Sequence, residues 1–160
     1  ESGFNVRARS RSGARGLLQL MPATARYMAE SRRRFRGRNR AQLFDPGLNL
    51  RLGQKYLDYL LAGDVVSGNL VLMIAAYNGG PGNLAKWQRQ VSHGSDPLVF
   101  IETIPVRETR LFVQRVLENF WVYRARLGQQ APSLEALAGG RWPNYVSLDG
   151  ARFGVAEERP

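Results

Sequence analysis

The chain contains no cysteine. That excludes disulfides and thiol chemistry, and it removes the usual ligands of structural zinc. A cysteine-free chain is compatible with an oxidising compartment without requiring one. Histidine is almost missing as well. His93 stands alone, in the segment Ser92-His93-Gly94-Ser95. A single histidine argues against Ser-His-Asp catalysis and against multi-histidine metal sites, and His93 reads as a surface loop residue. No apolar run approaches the roughly 20 residues that a membrane helix needs. Alternating strand patterns and internal repeats are also lacking. Lysine is scarce, with only Lys55 and Lys86.

What is present is arginine. The 160 residues carry a formal net charge of +10, and the isoelectric point is near 11.0. This balance favours a polyanionic partner: nucleic acid, an anionic membrane surface or a carboxylated cell-wall polymer. The densest run is Arg32-Arg33-Arg34-Phe35-Arg36-Gly37-Arg38-Asn39-Arg40. It reads as a solvated, mobile loop. A nucleic-acid patch needs interleaved aromatics, and only Phe35 interleaves here. The 44% hydrophobic and 22% charged content is that of a globular chain, and the length suits one domain with a short extension.

The punctuation is helical. Pro22 suits a first helical turn. Asp45-Pro46 is a cap followed by an N1 proline, and Leu48, Leu52, Tyr56, Leu57 and Leu60 then recur on one face. A third apolar helix is predicted over 70–77, stopping at Gly79-Gly80. Pro81 starts a short helix carrying Leu84 and Trp87. Asp96-Pro97 repeats the start signal. The longest helix is predicted over about 105–127, with Val113, Val116, Leu117, Phe120 and Val122 broad enough for a central core position. After Gly128 the segment Gln129-Gln130-Ala131-Pro132 reads as a linker and 133–137 as a brief capped helix. Trp142, Tyr145 and Phe153 read as anchors that hold a tail on the body, ahead of a sugar-lining role.

Three ordered blocks carry a family signature. The first runs from Glu1-Ser2-Gly3-Phe4-Asn5 through Gly16-Leu17-Leu18-Gln19-Leu20-Met21-Pro22-Ala23-Thr24-Ala25. The second is Ala75-Ala76-Tyr77-Asn78-Gly79-Gly80-Pro81-Gly82. The third is Glu102-Thr103-Ile104-Pro105-Val106-Arg107-Glu108-Thr109-Arg110. Together they resemble the catalytic domain of soluble-type lytic transglycosylases, over residues 1–128. The resemblance implies an all-α, lysozyme-like domain with a glycan-binding cleft, and leaves 129–160 as an extension packed on it. It implies peptidoglycan glycan strands as substrate, no cofactor or metal, and no nucleic-acid partner. A periplasmic or cell-envelope location follows from the substrate, with peripheral association with the envelope as an option and a monomer expected. Leu18 stands where the family often has Met, and Gly79 where Ala is common.

The same resemblance assigns roles. Glu1 becomes the catalytic acid and base. Ser10, Gln19, Met21, Tyr77, Asn78, Glu102 and Tyr123 become substrate-binding positions. Each has a plainer reading beside it: turn hydrogen bonds for Ser10 and Gln19, core filling for Met21 and Tyr123, core packing for Tyr77, a helix cap for Asn78, and a helix-end surface carboxylate for Glu102. Asp45, Asp58 and Asp64 read as structural. Most glycosidases use two carboxylates. This family is described with one, which serves twice while the substrate's own C6 hydroxyl attacks the anomeric carbon. A catalytic carboxyl at position 1 implies a fragment of something longer, in which an export signal would not show. A free amine beside that carboxylate favours ionisation, so impaired activity is expected of the chain alone, testable against an upstream-extended version. The competing functions are a water-using lysozyme-type hydrolase, a non-catalytic glycan-binding module and a basic nucleic-acid-binding helical domain.

Overall fold

A computed structural model describes residues 2–31, 33–90 and 95–146. Glu1, Arg32, the segment 91–94 with His93, and 147–160 with Phe153 lie outside the described residues. The described residues are helical, with isolated bridges and no sheet. The chain falls into two compact units, Glu1–Tyr59 and Leu60–Pro160.

In the first unit, a bridged loop leads into α1 (Pro22–Met28), a 3-10 helix (Gly37–Phe44) and α2 (Pro46–Ala62), which continues past the unit's end. The proline at the start of α1 loses no hydrogen bond there, because a first-turn N–H has no intrahelical partner. Asp45 caps α2: its Oδ1 accepts from the Leu48 N–H at 2.7 Å. The unit's core gathers Leu20, Ala25, Met28, Phe35, Leu43 and Leu52, with Leu18, Leu48 and Tyr56 packed against them. Phe35 corrects the expectation for the arginine run. It is fully buried, while Arg33, Arg34 and Arg36 around it are exposed. The run is thus pinned to the core at its one apolar residue, and from Gly37 onward it is helical, not loop.

The second unit is organised around α3 (Leu70–Gly79). Asn69 caps it by accepting from the Leu72 N–H at 3.1 Å. All seven residues 70–76 are buried. A helix apolar around its whole circumference must be enclosed by its neighbours, so α3 is the central helix. It ends where Gly80 takes a φ of 84°, and α4 (Pro81–Gln90) begins, burying Leu84 and Trp87. α5 (Pro97–Thr103) is capped by Asp96, whose Oδ1 accepts from Leu98 and Val99 at 2.8 and 3.4 Å. α6 (Arg107–Arg126) packs on α3 and on α5.

The central position predicted for α6 is not observed. It buries a single stripe, Thr109, Val113 and Leu117, four residues apart. Val116 and Phe120 are half-buried beside that stripe, and Val122 is exposed. Its high apolar count is spread over one flank and the outer face. α7 (Pro132–Ala138) also differs from expectation. Ser133 is not its cap. The buried Ser133 hydroxyl instead accepts from the Trp121 indole N–H at 3.0 Å. Further on, Leu70 N–H donates to the Pro143 carbonyl and Tyr145 N–H to that of Gly68, both at 2.8 Å. The Trp142 ring lies 5.5 Å from that of Phe100.

Candidate functional site

Glu1, the proposed acid, lies outside the described residues. The other nominated residues fall into two groups, three in the first unit and four in the second.

Ser10, Gln19 and Met21 belong to the loop that precedes α1. Ser10 closes a turn: its hydroxyl accepts from the Ala14 N–H at 3.0 Å, and its own N–H donates to the Ala14 carbonyl at 3.1 Å. Gln19 has a φ of 46°, a conformation costly for a residue with a Cβ. Its side chain offsets that cost. Nε2 donates to the carbonyls of Gly16 at 2.7 Å and Ala8 at 3.2 Å, joining two passes of the loop. The turn bonds expected as the plain alternative for Ser10 and Gln19 are therefore present. Met21 is 39% exposed at the N-cap position of α1, so it is not core filler and offers an apolar surface.

What holds this loop against α2 is a residue the sequence did not single out. Asn49 is fully buried. Its Oδ1 accepts from the Leu18 N–H at 2.8 Å, and its Nδ2 donates to the carbonyls of Arg15 and Leu43, both at 2.9 Å. One side chain thus binds three backbone groups of the unit. Gly16 sits directly against this amide with a φ of 77°, and a Cβ there would run into the Leu43 carbonyl and Asn49. One signal was legible: Asn49 shares a helical face with Leu52, Tyr56 and Leu60. A polar residue inside an apolar stripe asks for buried partners.

Arg15 lies on the same loop. Its guanidinium carbon is 5.3 Å from the centre of the Phe44 ring, and its Nε is buried with no hydrogen-bond partner. Partial burial, then the neighbouring Arg9 and Arg40 guanidiniums, lower its pKa from the ordinary arginine value.

In the second unit the geometry converges on the end of α3. The half-buried Tyr77 ring stacks on Phe112 of α6, centres 6.5 Å apart and planes 10° from parallel. Asn78 is not the cap of α3. Its Oδ1 accepts from the hydroxyl of Thr109 at 2.6 Å, and Thr109 is almost completely buried on α6. This bond fixes which way the Asn78 amide faces, directing its Nδ2 hydrogens away from Thr109. The cap is Gly80, whose N–H donates to the Ala76 carbonyl at 2.8 Å, and Asn83 Nδ2 donates to the Gly79 carbonyl at 2.9 Å. Gly79 faces Trp87 so closely that a Cβ would overlap the indole ring. The small residue at this turn is matched to a large one on α4.

Glu102 is exposed in the last turn of α5, and its Oε1 accepts from Gln114 Nε2 at 2.7 Å. Arg110 Nη1 donates to the carbonyls of Glu102 and Ile104, at 3.0 and 3.1 Å, and so satisfies the open C-terminal end of α5. The Thr109-Arg110 pair thus ties the ends of α3 and α5 to α6. Tyr123 stands apart. It is 50% exposed, roughly 16 Å farther along α6 than Phe112 at the helical rise, so core filling does not describe it. Of the carboxylates read as structural, Asp45 caps α2 and Asp58 accepts from Gln54 Nε2 at 2.9 Å. Asp64 is exposed, and its carbonyl accepts from the Ser67 hydroxyl at 3.0 Å.

This arrangement has close relatives. The profile of the transglycosylase SLT domain matches residues 1–100. The soluble lytic murein transglycosylase of Escherichia coli K12 is 34% identical over 141 residues, covering 88% of this chain and 22% of that protein. Lytic transglycosylase Slt of Pseudomonas aeruginosa, solved as an inactive mutant, superposes with a TM-score of 0.69 at 41% identity over 82% of this chain and 21% of that one. The 70-kDa soluble lytic transglycosylase of Escherichia coli gives a TM-score of 0.73 at 32% identity over 91% of this chain and 23% of that one. The chain therefore spans about a fifth of the length of the relatives it matches.

Proposed function

This chain belongs to the transglycosylase SLT family, and from that premise we propose that it cuts peptidoglycan by lytic transglycosylation. The bond broken is the β-1,4 link between N-acetylmuramic acid and N-acetylglucosamine, and the product ends in a 1,6-anhydromuramoyl ring. The observation that carries the reading is that the family match over 1–100 takes in Glu1, Ser10, Gln19, Met21, Tyr77 and Asn78. Glu102 and Tyr123 join the site on the third sequence block and the long helix alone.

Glu1 supplies the proton that the departing glycosidic oxygen needs. The anomeric C1–O bond breaks, and the N-acetylglucosamine leaves with a free hydroxyl. The resulting carboxylate then takes the proton from the C6 hydroxyl of the muramoyl sugar as that oxygen bonds to C1. Glu1 ends protonated, as it began, and no water is consumed. An intramolecular nucleophile is already placed, which saves the entropy of positioning a second reactant. One carboxyl thus does the work divided between two in most glycosidases. The engagement of Asp45 and Asp58 in local helix bonds supports a single-acid scheme. The Asn78 amide, oriented by Thr109, serves an acceptor on the sugar, and Tyr77, held against Phe112, lines the same region.

In this reading residues 1–128 are the catalytic domain and 129–160 the packed extension. The backbone bonds from Leu70 to Pro143 and from Tyr145 to Gly68 support that packing. The substrate puts the protein in the periplasm or cell envelope. Among the described residues no helix is long and apolar enough to cross a membrane.

Mass spectrometry of released muropeptides tests the proposal. Anhydro ends, lighter by one water than reducing ends, are expected from the upstream-extended wild type, and in smaller yield from this chain alone. Glu1→Gln is expected to lower their release by about 100-fold or more. Reducing ends would make the protein a lysozyme-type hydrolase, and binding without release a glycan-binding module.

A further inference from the structure

Tyr27 and Tyr59 belong to none of the blocks that nominate the cleft, yet they form an exposed aromatic surface in the first unit. Tyr27 on α1 is 63% exposed and Tyr59 on α2 is 45% exposed. Their rings meet edge to face, centres 5.4 Å apart. Tyr56 stacks behind Tyr59 with centres 6.3 Å apart and planes 15° from parallel. Single exposed aromatics are ordinary. A touching pair braced from behind is a rigid apolar platform that the core does not need.

Beside it runs a groove of about 440 Å³, lined by Ala23, Arg26, Tyr27, Glu30, Ser31 and Arg36. The unit that carries it is strongly basic: thirteen Arg and Lys against four Asp and Glu over Glu1–Tyr59. Glu30 opposes an incoming anion, but its carboxylate lies 3.9 Å from the Lys55 ammonium.

We propose that Tyr27 and Tyr59, with Arg26 and Arg36, form a second saccharide-binding surface that holds a carboxylated stretch of cell-wall strand without cutting it. The inference rests on the peptidoglycan reading for the identity of the strand. A pyranose has a face of C–H groups and a rim of hydroxyls. Laid on a tyrosine ring it buries the face and leaves the rim wet. Tyrosine is suited to this because ordering it costs little entropy. Guanidinium groups take a carboxylate through two parallel N–H bonds, and the peptide branches of the strand carry such carboxylates. The burial of Phe35 bears on the partner class. It withdraws the aromatic of the arginine run from base stacking or membrane insertion, and leaves Tyr27 and Tyr59 as a touching pair of exposed rings.

The test uses the upstream-extended protein, co-sedimented with insoluble peptidoglycan over a range of NaCl, and a short soluble glycan for turnover. Tyr27→Ala is expected to weaken retention five- to tenfold and to raise KM for the insoluble polymer, with kcat on the short glycan unchanged. Tyr27→Trp is expected to restore retention, which a general loss of fold would not allow. Arg26→Gln with Arg36→Gln is expected to flatten the salt dependence. Peptidoglycan whose carboxylates have been amidated is expected to hold the wild type as weakly as that double variant. Wild-type retention by Tyr27→Ala overturns the proposal. So does retention that ignores amidation and is displaced by duplex DNA, which would assign the surface to phosphates. Failure of the transglycosylase reading shows separately, as no anhydro product from either substrate whatever the retention.

Discussion

The two units solve the same problem by different means. Over Leu60–Pro160, position is set by apolar burial: residues 70–76 are enclosed on every side, and α6 is laid along them by one stripe. Over Glu1–Tyr59, much of the chain is loop, and its course is set by side-chain amides that bind backbone: Asn49 to three groups, Gln19 to two. Charge follows the same division. The first unit holds thirteen cations against four carboxylates, the second ten against nine. A loop-rich unit has backbone groups to satisfy and surface to spend on arginine. A helical unit satisfies its backbone internally and spends its sequence on packing. The nominated residues fall in both units, and each group inherits the vulnerability of its own unit.

The sharpest way to break this contrast is Asn49→Leu, close in size and without the amide. It removes all three hydrogen bonds of the amide, the fully buried one to the Leu43 carbonyl among them, and is expected to cost about 3 kcal/mol. Ile74→Val, a trimming inside the buried α3, is expected to cost about 1 kcal/mol. Urea denaturation of both decides it, and the reverse order would mean that the first unit is held by packing after all. Next comes Gly79→Ala, which drives a methyl into Trp87. A loss of about 1–3 kcal/mol is expected. Trp87→Leu in the same chain should recover part of it, a coupling that a double-mutant cycle measures directly.

Thr109→Val sharpens the comparison at the site itself. Removing its hydroxyl is expected to cost about 1 kcal/mol of stability. If Asn78 orientation serves the reaction, the drop in kcat is larger than that loss explains, and Thr109→Ser restores both. The smallest effect is one of pH. Burial, then the neighbouring Tyr59, raises the Tyr56 pKa above that of an ordinary tyrosine. The folded state thus disfavours the phenolate. The stability involved is complete below the unfolded tyrosine value and is lost as pH rises through the folded one. Denaturation curves above pH 10 should fall more steeply for the wild type than for Tyr56→Phe.

Proline and aspartate punctuation made most helix starts legible, since Pro22, Pro46, Pro81 and Pro97 all open helices. Such signals act within one turn of chain, so they survive without tertiary context. Ser133 failed because a hydroxyl that fits a local cap fits a distant indole equally well, and only the fold brings Trp121 to it. Phe35 failed for a related reason. Among arginines it looks like part of a charged surface, but a loop of any composition can turn one residue inward. The central place expected for α6 is held by α3 in the second unit, because apolar count is a property of a helix, whereas enclosure is a property of its neighbours. Tyr77, Asn78 and Glu102 were nominated from their sequence blocks; the partners Phe112, Thr109 and Gln114, far away in sequence, were not.

By itself, then, the amino-acid sequence determined the family, the helical class, the helix starts and the excess of arginine, all of which live in short ordered blocks or in composition. Tertiary structure alone decided that Asn49 is the tie of the first loop, that Thr109 sets the face of Asn78, that Phe35 is core, and that Tyr27 and Tyr59 meet. Each of those is a contact between residues remote along the chain. Its energy depends on distance and solvent exclusion, and neither exists until the chain has folded.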